Sequence, residues 1–290
     1  MLAIALGITT GLVYGFADFF GAVASRKLRP ILVTGLAGWA GLLALIAAVA
    51  IGWLPAHIST PSLWAGIGGG VFSAIALASL YQALAIGPIS IVSPLAAVVG
   101  ALVPAAVGAA FLGESFGPLS WLAIGLVLVA IVLVAYHPQG HSAPRPSTRG
   151  LAFGAIAGLG IGVVLVCLHA APATDGVAAI LLMRATNAVI LGGVVVILMS
   201  RGKANLKTFT DMSVSMWLTI FATGLLDAAA NVLFVFASRI GSLTVVSVLT
   251  SLYPLGTILL ARLVLKEKLA TNQLVGIFLA LGASALLAIR

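Results

Sequence analysis

The sequence predicts an all-α integral membrane protein in which ten transmembrane helices form two inverted five-helix repeats. Three observations predict it: an extreme composition, a series of long apolar segments, and a motif that occurs once in each half. Hydrophobic residues make up 62% of the 290 positions and charged residues only 7%, with a mean hydropathy of +1.27. Soluble domains carry about 25% charge, so this chain lacks the polar surface that would keep it in solution. Cys167 is the single cysteine, which rules out an intramolecular disulfide and any paired-cysteine metal or redox site. The net charge of +8 would suggest nucleic acid for a soluble protein. Here the bases fall between apolar spans, where they act as orientation signals.

Apolar segments of roughly 18 to 25 residues, each long enough to cross about 30 Å of hydrocarbon, occur ten times. In the first half they cover residues 4–24, 31–53, 63–85, 90–111 and 119–136. In the second they cover 150–170, 177–199, 214–238, 243–265 and 272–289. All read as helices, because a barrel would need alternating strands of about ten residues and none is visible. The first span is too long and glycine-rich for a cleaved signal peptide and has no basic region before it, so it is expected to remain in the mature protein.

One polar stretch, HPQGHSAPRPSTR at 137–149, separates the halves. The expected units are 1–140, a linker at 141–149, and 150–290. His137 and His141 lie four apart in it, but Pro138 and Gly140 prevent the helix that would bring them together, so no metal site is expected.

The duplicated motif occupies 86–114 and 240–267. Each copy begins with Ile-Gly, reaches Ser93 or Ser247 seven residues on, continues as an apolar helix interrupted by proline, and ends at Glu114 or Glu267 with one residue of slippage between the copies. Gly7, Gly11 and Gly15 recur with the same spacing as Gly154, Gly158 and Gly162. Such small-residue ridges let helix backbones approach closely. Five spans is an odd number, so the second unit enters the membrane from the opposite side and the repeats are inverted, the arrangement that encloses a site near the bilayer centre and exposes it alternately. With both termini outside, 11 of the 14 bases fall on the inner side and only Arg239 and Arg290 on the outer. The positive-inside rule therefore puts both termini on the extracytoplasmic side of a cell (inner) membrane.

The paired Ile-Gly…Ser hairpins, the proline-interrupted helix after each, the LGE at 112–114, the LKE at 265–267 and the glycine-bearing last helices (Gly125; Gly276 and Gly282) resemble the EamA-type branch of the drug/metabolite transporter superfamily. The resemblance covers essentially the whole chain. It implies a basket of ten helices with a central cavity lined by spans one, three and four and their counterparts six, eight and nine. It also implies secondary transport, within a family that exports amino acids, aromatic metabolites and drugs. The chain has no HExxH, no nucleotide-binding GxxxxGK[ST] and no soluble domain, so neither an enzyme nor an ATP-driven pump is expected, and no cofactor. The alternatives are a facilitator or lipid-linked flippase, and a non-transporting membrane scaffold. One chain holds both repeats, so a monomer suffices.

Polar groups at membrane depth are costly unless used or paired, which makes them the candidate site. Tyr14 and Asp18 share a face of the first span, Tyr81 and Gln82 close the third, His169 ends the sixth, Asp227 and Asn231 share a stripe on the eighth, and Tyr253 lies in the ninth. A mostly apolar cavity with these groups suits a zwitterion with an apolar side chain; a phosphate would need several convergent bases, and only Arg184 lies deep inside the membrane. Arg184 is expected to pair with a carboxylate or to snorkel, since the resemblance puts the seventh span outside the cavity. Pro94, Pro104 and Pro254 each remove a helix hydrogen bond and are candidate hinges. Trp53, Trp64, Trp121 and Trp217 read as interfacial anchors, whereas Trp39 is deeper. Of six acidic residues, Asp18 and Asp227 alone lie within spans, and their repeat counterparts are Leu165 and Ser73. Since duplication did not force either one, at least one is expected to bind a proton or the substrate's amino group, with Asp227 favoured.

Overall fold

The computed structural model describes residues 1–25, 27–86, 89–135, 147–201, 212–265 and 271–288. Every apolar segment in them is helical. In the first half these are α1 (Leu2–Ser25), α2 (Pro30–Ala50), α3 (Thr60–Ile86), α4 (Ile89–Phe111) and α5 (Pro118–Ala135). The second half has α6 (Thr148–Ala170), a 3-10 turn (Ala173–Asp175), α7 (Ala178–Ser200), α8 (Val214–Ile240), α9 (Leu243–Thr250), α10 (Tyr253–Leu265) and α11 (Thr271–Ala288). Among the described residues, six helices have the length and hydropathy to cross a membrane: α1, α2, α3, α6, α7 and α8. Shorter apolar stretches occupy 95–111, 118–133 and 243–257.

Local sequence accounts for the boundaries. Pro30 opens α2 at a position where its missing N–H costs nothing. Ser147 caps α6 by accepting from Gly150 N–H at 3.0 Å, so the helix starts two residues inside the expected linker. The rest of that linker, with His137 and His141, lies outside the described residues. Pro254 splits the ninth span: the chain leaves the helix at Ser251 and Leu252 and re-enters at Tyr253, because proline offers no N–H to the carbonyl four residues back. Pro94 and Pro104 lie within the continuous α4.

The boundaries also repeat. The starts and ends of α8 lie 154 positions after those of α3, and the same shift carries α4 onto the start of α9 and the end of α10. The packing repeats too. α1 packs on α8 as α6 packs on α3; α9 and α10 cover α1 as α4 covers α6; α2 joins α7, and α5 joins α11. A side chain at Gly11 would come within 2.8 Å of the Thr250 carbonyl, and one at Gly158 within 2.6 Å of the Ala96 carbonyl. These are the same contact in the two halves.

Candidate functional site

The helices enclose a central cavity in two lobes that share Asp18, Ser73, Leu77, Met183 and Asp227. One lobe is polar, lined further by Thr34, Tyr81, Arg184, Asn187 and Thr223. The other is apolar along Leu80, Ile161, Val164 and Leu165, with Tyr14, Asn231, Thr250, Ser251 and Tyr253 at its margin. Their volumes, about 20 and 70 Å³, hold a few waters each at most and exclude most metabolites. The cavity is narrow around its polar groups.

Within it, Arg184 on α7 forms an ion pair through Nη2 with Asp227 Oδ2 on α8. The guanidinium fits because Gly41 on α2 has no side chain: a Cβ there would lie 2.5 Å from Nη1. Arg184 is 5% exposed, and its Nε has no hydrogen-bond partner. Tyr14 OH donates to Asn231 Oδ1 at 2.9 Å, and Asn231 Nδ2 donates to the Asp227 carbonyl at 2.7 Å. Asn187 Nδ2 donates to Ser73 Oγ at 2.9 Å. Asp18 faces both lobes and makes no hydrogen bond or ion pair with the described residues. The arrangement offers a lone carboxylate, a guanidinium edge and an apolar wall in one enclosure.

Six of the eight residues singled out in sequence meet here: Tyr14, Asp18, Tyr81, Asp227, Asn231 and Tyr253. Two do not. Gln82 follows Tyr81 by one position, about 100° around α3, and is exposed where Tyr81 is buried. His169 sits near the end of α6 facing Ser238 and Glu114, away from the cavity. Arg184 is paired as expected but lines the cavity, and so do residues of α2 and α7, while the described side chains of α4 do not. The carrier of that correction is the small-residue set Gly38, Gly41 and Gly224, which lets α2, α7 and α8 close up around the guanidinium. Trp39 is 45% exposed in an apolar groove of α2 and α7, outside the cavity. Trp53, Trp64, Trp121 and Trp217 are exposed near helix ends, as anchors should be.

At the end of the molecule where α2, α4, α6 and α8 finish, the halves are tied together by polar contacts. The connection before α3 meets the turn before α7: Ser59 hydroxyl donates to Asp175, His57 N–H donates to the Asp175 carbonyl at 3.0 Å, and Val177 N–H to the Pro55 carbonyl at 2.8 Å. Arg239 Nη2 donates to the Gly176 carbonyl at 2.8 Å. The Ser59 hydroxyl holds the Asp175 carboxyl below the usual aspartate range. Nearby, Gly113 at φ +66° reverses the chain after α4, with Glu114 N–H closing on the Gly108 carbonyl at 3.0 Å. That turn aims the Glu114 carboxylate at the start of α9, where it accepts from Leu243 and Thr244 N–H at 2.7 and 3.2 Å. The LGE motif is thus a helix stop whose acid caps a helix of the other half.

No curated protein matches the chain. A solved crystal structure superposes with a TM-score of 0.74 over 98% of this chain and 97% of its own, at 19% identity, a likeness that speaks for the fold alone. Residues 148–289 match the model of the EamA-like transporter family. Those residues, the second half of the chain, belong to the EamA-like transporters of the drug/metabolite transporter superfamily, and with its long apolar helices the chain is a multi-pass membrane protein of that transporter type.

Proposed function

We propose that the protein is a secondary transporter that exports a small amphipathic metabolite, an amino acid or aromatic zwitterion, across the cell (inner) membrane. The observation that carries this is the pairing of a partnerless Asp18 carboxylate with an Arg184 whose Nε is free, beside an apolar lobe. An ammonium group would meet Asp18, a carboxylate would meet Arg184 Nε, and the apolar side chain would rest against Leu80, Ile161 and Val164. Tyr14 and Asn231 hold the Asp227 side of the site in register. Asp227 loses its counter-charge whenever Arg184 turns to a substrate carboxylate, so a proton or the substrate's own cation must then answer it.

Transport by this reading uses ten spans in two inverted repeats, 1–140 and 150–290. The repeated helix boundaries and the matched packing of the halves support that relation. The basic residues at the ends of α1, α7 and α10 support a cytoplasmic location for that face and an extracytoplasmic one for both termini. Loading requires the helices to part, and Pro254 at the break between α9 and α10 is the hinge best placed for it, ahead of Pro94 and Pro104.

Flux of labelled apolar and aromatic amino acids into proteoliposomes tests the reading. Transport driven by a pH gradient is expected, and flux indifferent to the gradient would indicate a facilitator instead. Asp18→Asn and Asp227→Asn keep shape and remove a charge; if both variants reach the membrane and transport at the wild-type rate with unchanged pH dependence, neither aspartate has this role. A fluorescent protein fused to the C-terminus should stay dark, and a bright one would reverse the orientation.

A further inference from the structure

Most threonines on the long helices satisfy their hydroxyls within their own helix, although the Ser25 hydroxyl at the end of α1 has no partner among the described residues. Thr9, Thr10, Thr34, Thr219 and Thr223 each donate to the carbonyl four residues back, at 2.7 to 2.9 Å. Three residues of the short helix α9 depart from this. Thr244, Ser247 and Thr250 are 0%, 0% and 3% exposed, and none of their hydroxyl oxygens has a hydrogen-bond partner. They recur every third residue, so they climb one side of the helix. Buried polar groups are satisfied in native proteins, and three orphans in a row on one helix side point to a common ligand that can both donate and accept.

The two ends of this row say what it connects. At the outer end, Glu114 Oε2 and Thr244 Oγ1 converge beside Gly108, where any side chain would collide with both. The same carboxylate lines a surface cleft of about 360 Å³ with Met1, Ser115 and Ser242. At the inner end, Thr250 lines the central cavity together with Asp18 and Tyr253. The row therefore runs from a surface carboxylate to the partnerless carboxylate of the transport site.

We propose that the hydroxyl side of α9 is a hydrated proton path from the Glu114 cleft to Asp18. The path rests on the role given above to Asp18. A hydronium ion in the cleft gives a proton to the Glu114 carboxylate and is left as water, and Glu114 passes that proton to a water at Thr244. Each hydroxyl then accepts a proton from the water before it and releases its own to the water after it, at Ser247 and at Thr250. The last water protonates Asp18, and Glu114 is left as a carboxylate again. Only O–H bonds form and break, water is the sole co-reactant, and nothing is oxidised or reduced. Other charges bear on both ends: His169 of α6 faces Glu114, while Asp18 faces Asp227 of α8, Tyr81 of α3 and Tyr253 of α10, with Arg184 of α7 behind Asp227.

The experiment follows the proton itself. The full chain in lipid vesicles is given an acid jump, and the infrared carbonyl band of the protonated carboxyl is timed, with Asp18→Asn identifying the band. Thr244→Val combined with Ser247→Ala removes two hydroxyls from positions outside the cavity and is expected to slow the band by about tenfold or more. Thr244→Ser combined with Ser247→Thr keeps both hydroxyls and is expected to match the wild type. Equal rates in all three proteins would overturn the path, as would equal slowing in the two double variants, which would mark a packing effect. A band that survives Asp18→Asn yet slows with loss of the hydroxyls would keep the path and remove Asp18 as its end, so the reading of Asp18 would fall separately. Absence of any band in every variant would overturn both.

Discussion

The contact of α9 with α1 and that of α4 with α6 are the same contact made twice, while the cavity between the halves contains almost nothing twice. Gly11 meets Thr250 as Gly158 meets Ala96, yet Asp18 stands opposite Leu165 in the repeat alignment and Asp227 opposite Ser73. The difference separates what the fold needs from what the function needs. Backbone-to-backbone packing in a membrane depends on small residues at fixed spacing, and any duplication that keeps the fold keeps them. A buried carboxylate is kept only where something answers its charge, and one bound solute needs one such arrangement, not a mirrored pair.

The largest expected effect comes from breaking the unmatched part. Arg184→Met leaves the partly buried Asp227 without its counter-ion, a loss of about 3 kcal/mol, and should lower thermal stability in detergent sharply. Adding Asp227→Leu should recover most of that stability but not transport. If the single and double variants melt alike, the pair does not hold α7 to α8.

A smaller effect, equal in the two halves, is expected from the matched part. Gly11→Ala and Gly158→Ala each drive a methyl toward a backbone carbonyl, at 2.8 and 2.6 Å, and each should cost about 1–3 kcal/mol. A helix shift that accommodates one and not the other would show as unequal melting temperatures and would break the equivalence of the two contacts. Tyr14→Phe removes one hydrogen bond to Asn231 and should cost about 1 kcal/mol while raising the substrate concentration needed for half-maximal flux.

The smallest stability effect belongs to Asp175, which ties the connection before α3 to the turn before α7. Its carboxyl is held below the ordinary aspartate value, so its contribution is present above that value and is lost as pH falls through the lowered one. Between pH 5 and 8 the tie is constant. Asp175→Asn should therefore lower the melting temperature slightly and by the same amount at both of those pH values; a difference that grows toward pH 8 would mean that another group titrates there.

Much of this fold is legible in the sequence because a bilayer imposes one local rule: an apolar segment of sufficient length must satisfy its own backbone and becomes a helix. The segments at 4–24, 150–170 and 214–238 are α1, α6 and α8 with ends shifted by two residues or fewer, and the glycine ridges lie at close helix contacts. The candidate site was legible only in part, because polarity and depth identify a costly side chain but not the direction it faces. Tyr81 and Gln82 are neighbours of similar promise in sequence, and the step of about 100° between them on the helix sends the first into the cavity and the second out of it. Tertiary structure alone brought Arg184 to Asp227 across 43 positions, aimed Glu114 at the first turn of α9, and left Thr244, Ser247 and Thr250 without the carbonyls that other hydroxyls find. Length and hydropathy act along the chain and can be read there, whereas the pairing of a charge depends on which helix the packing sets beside it.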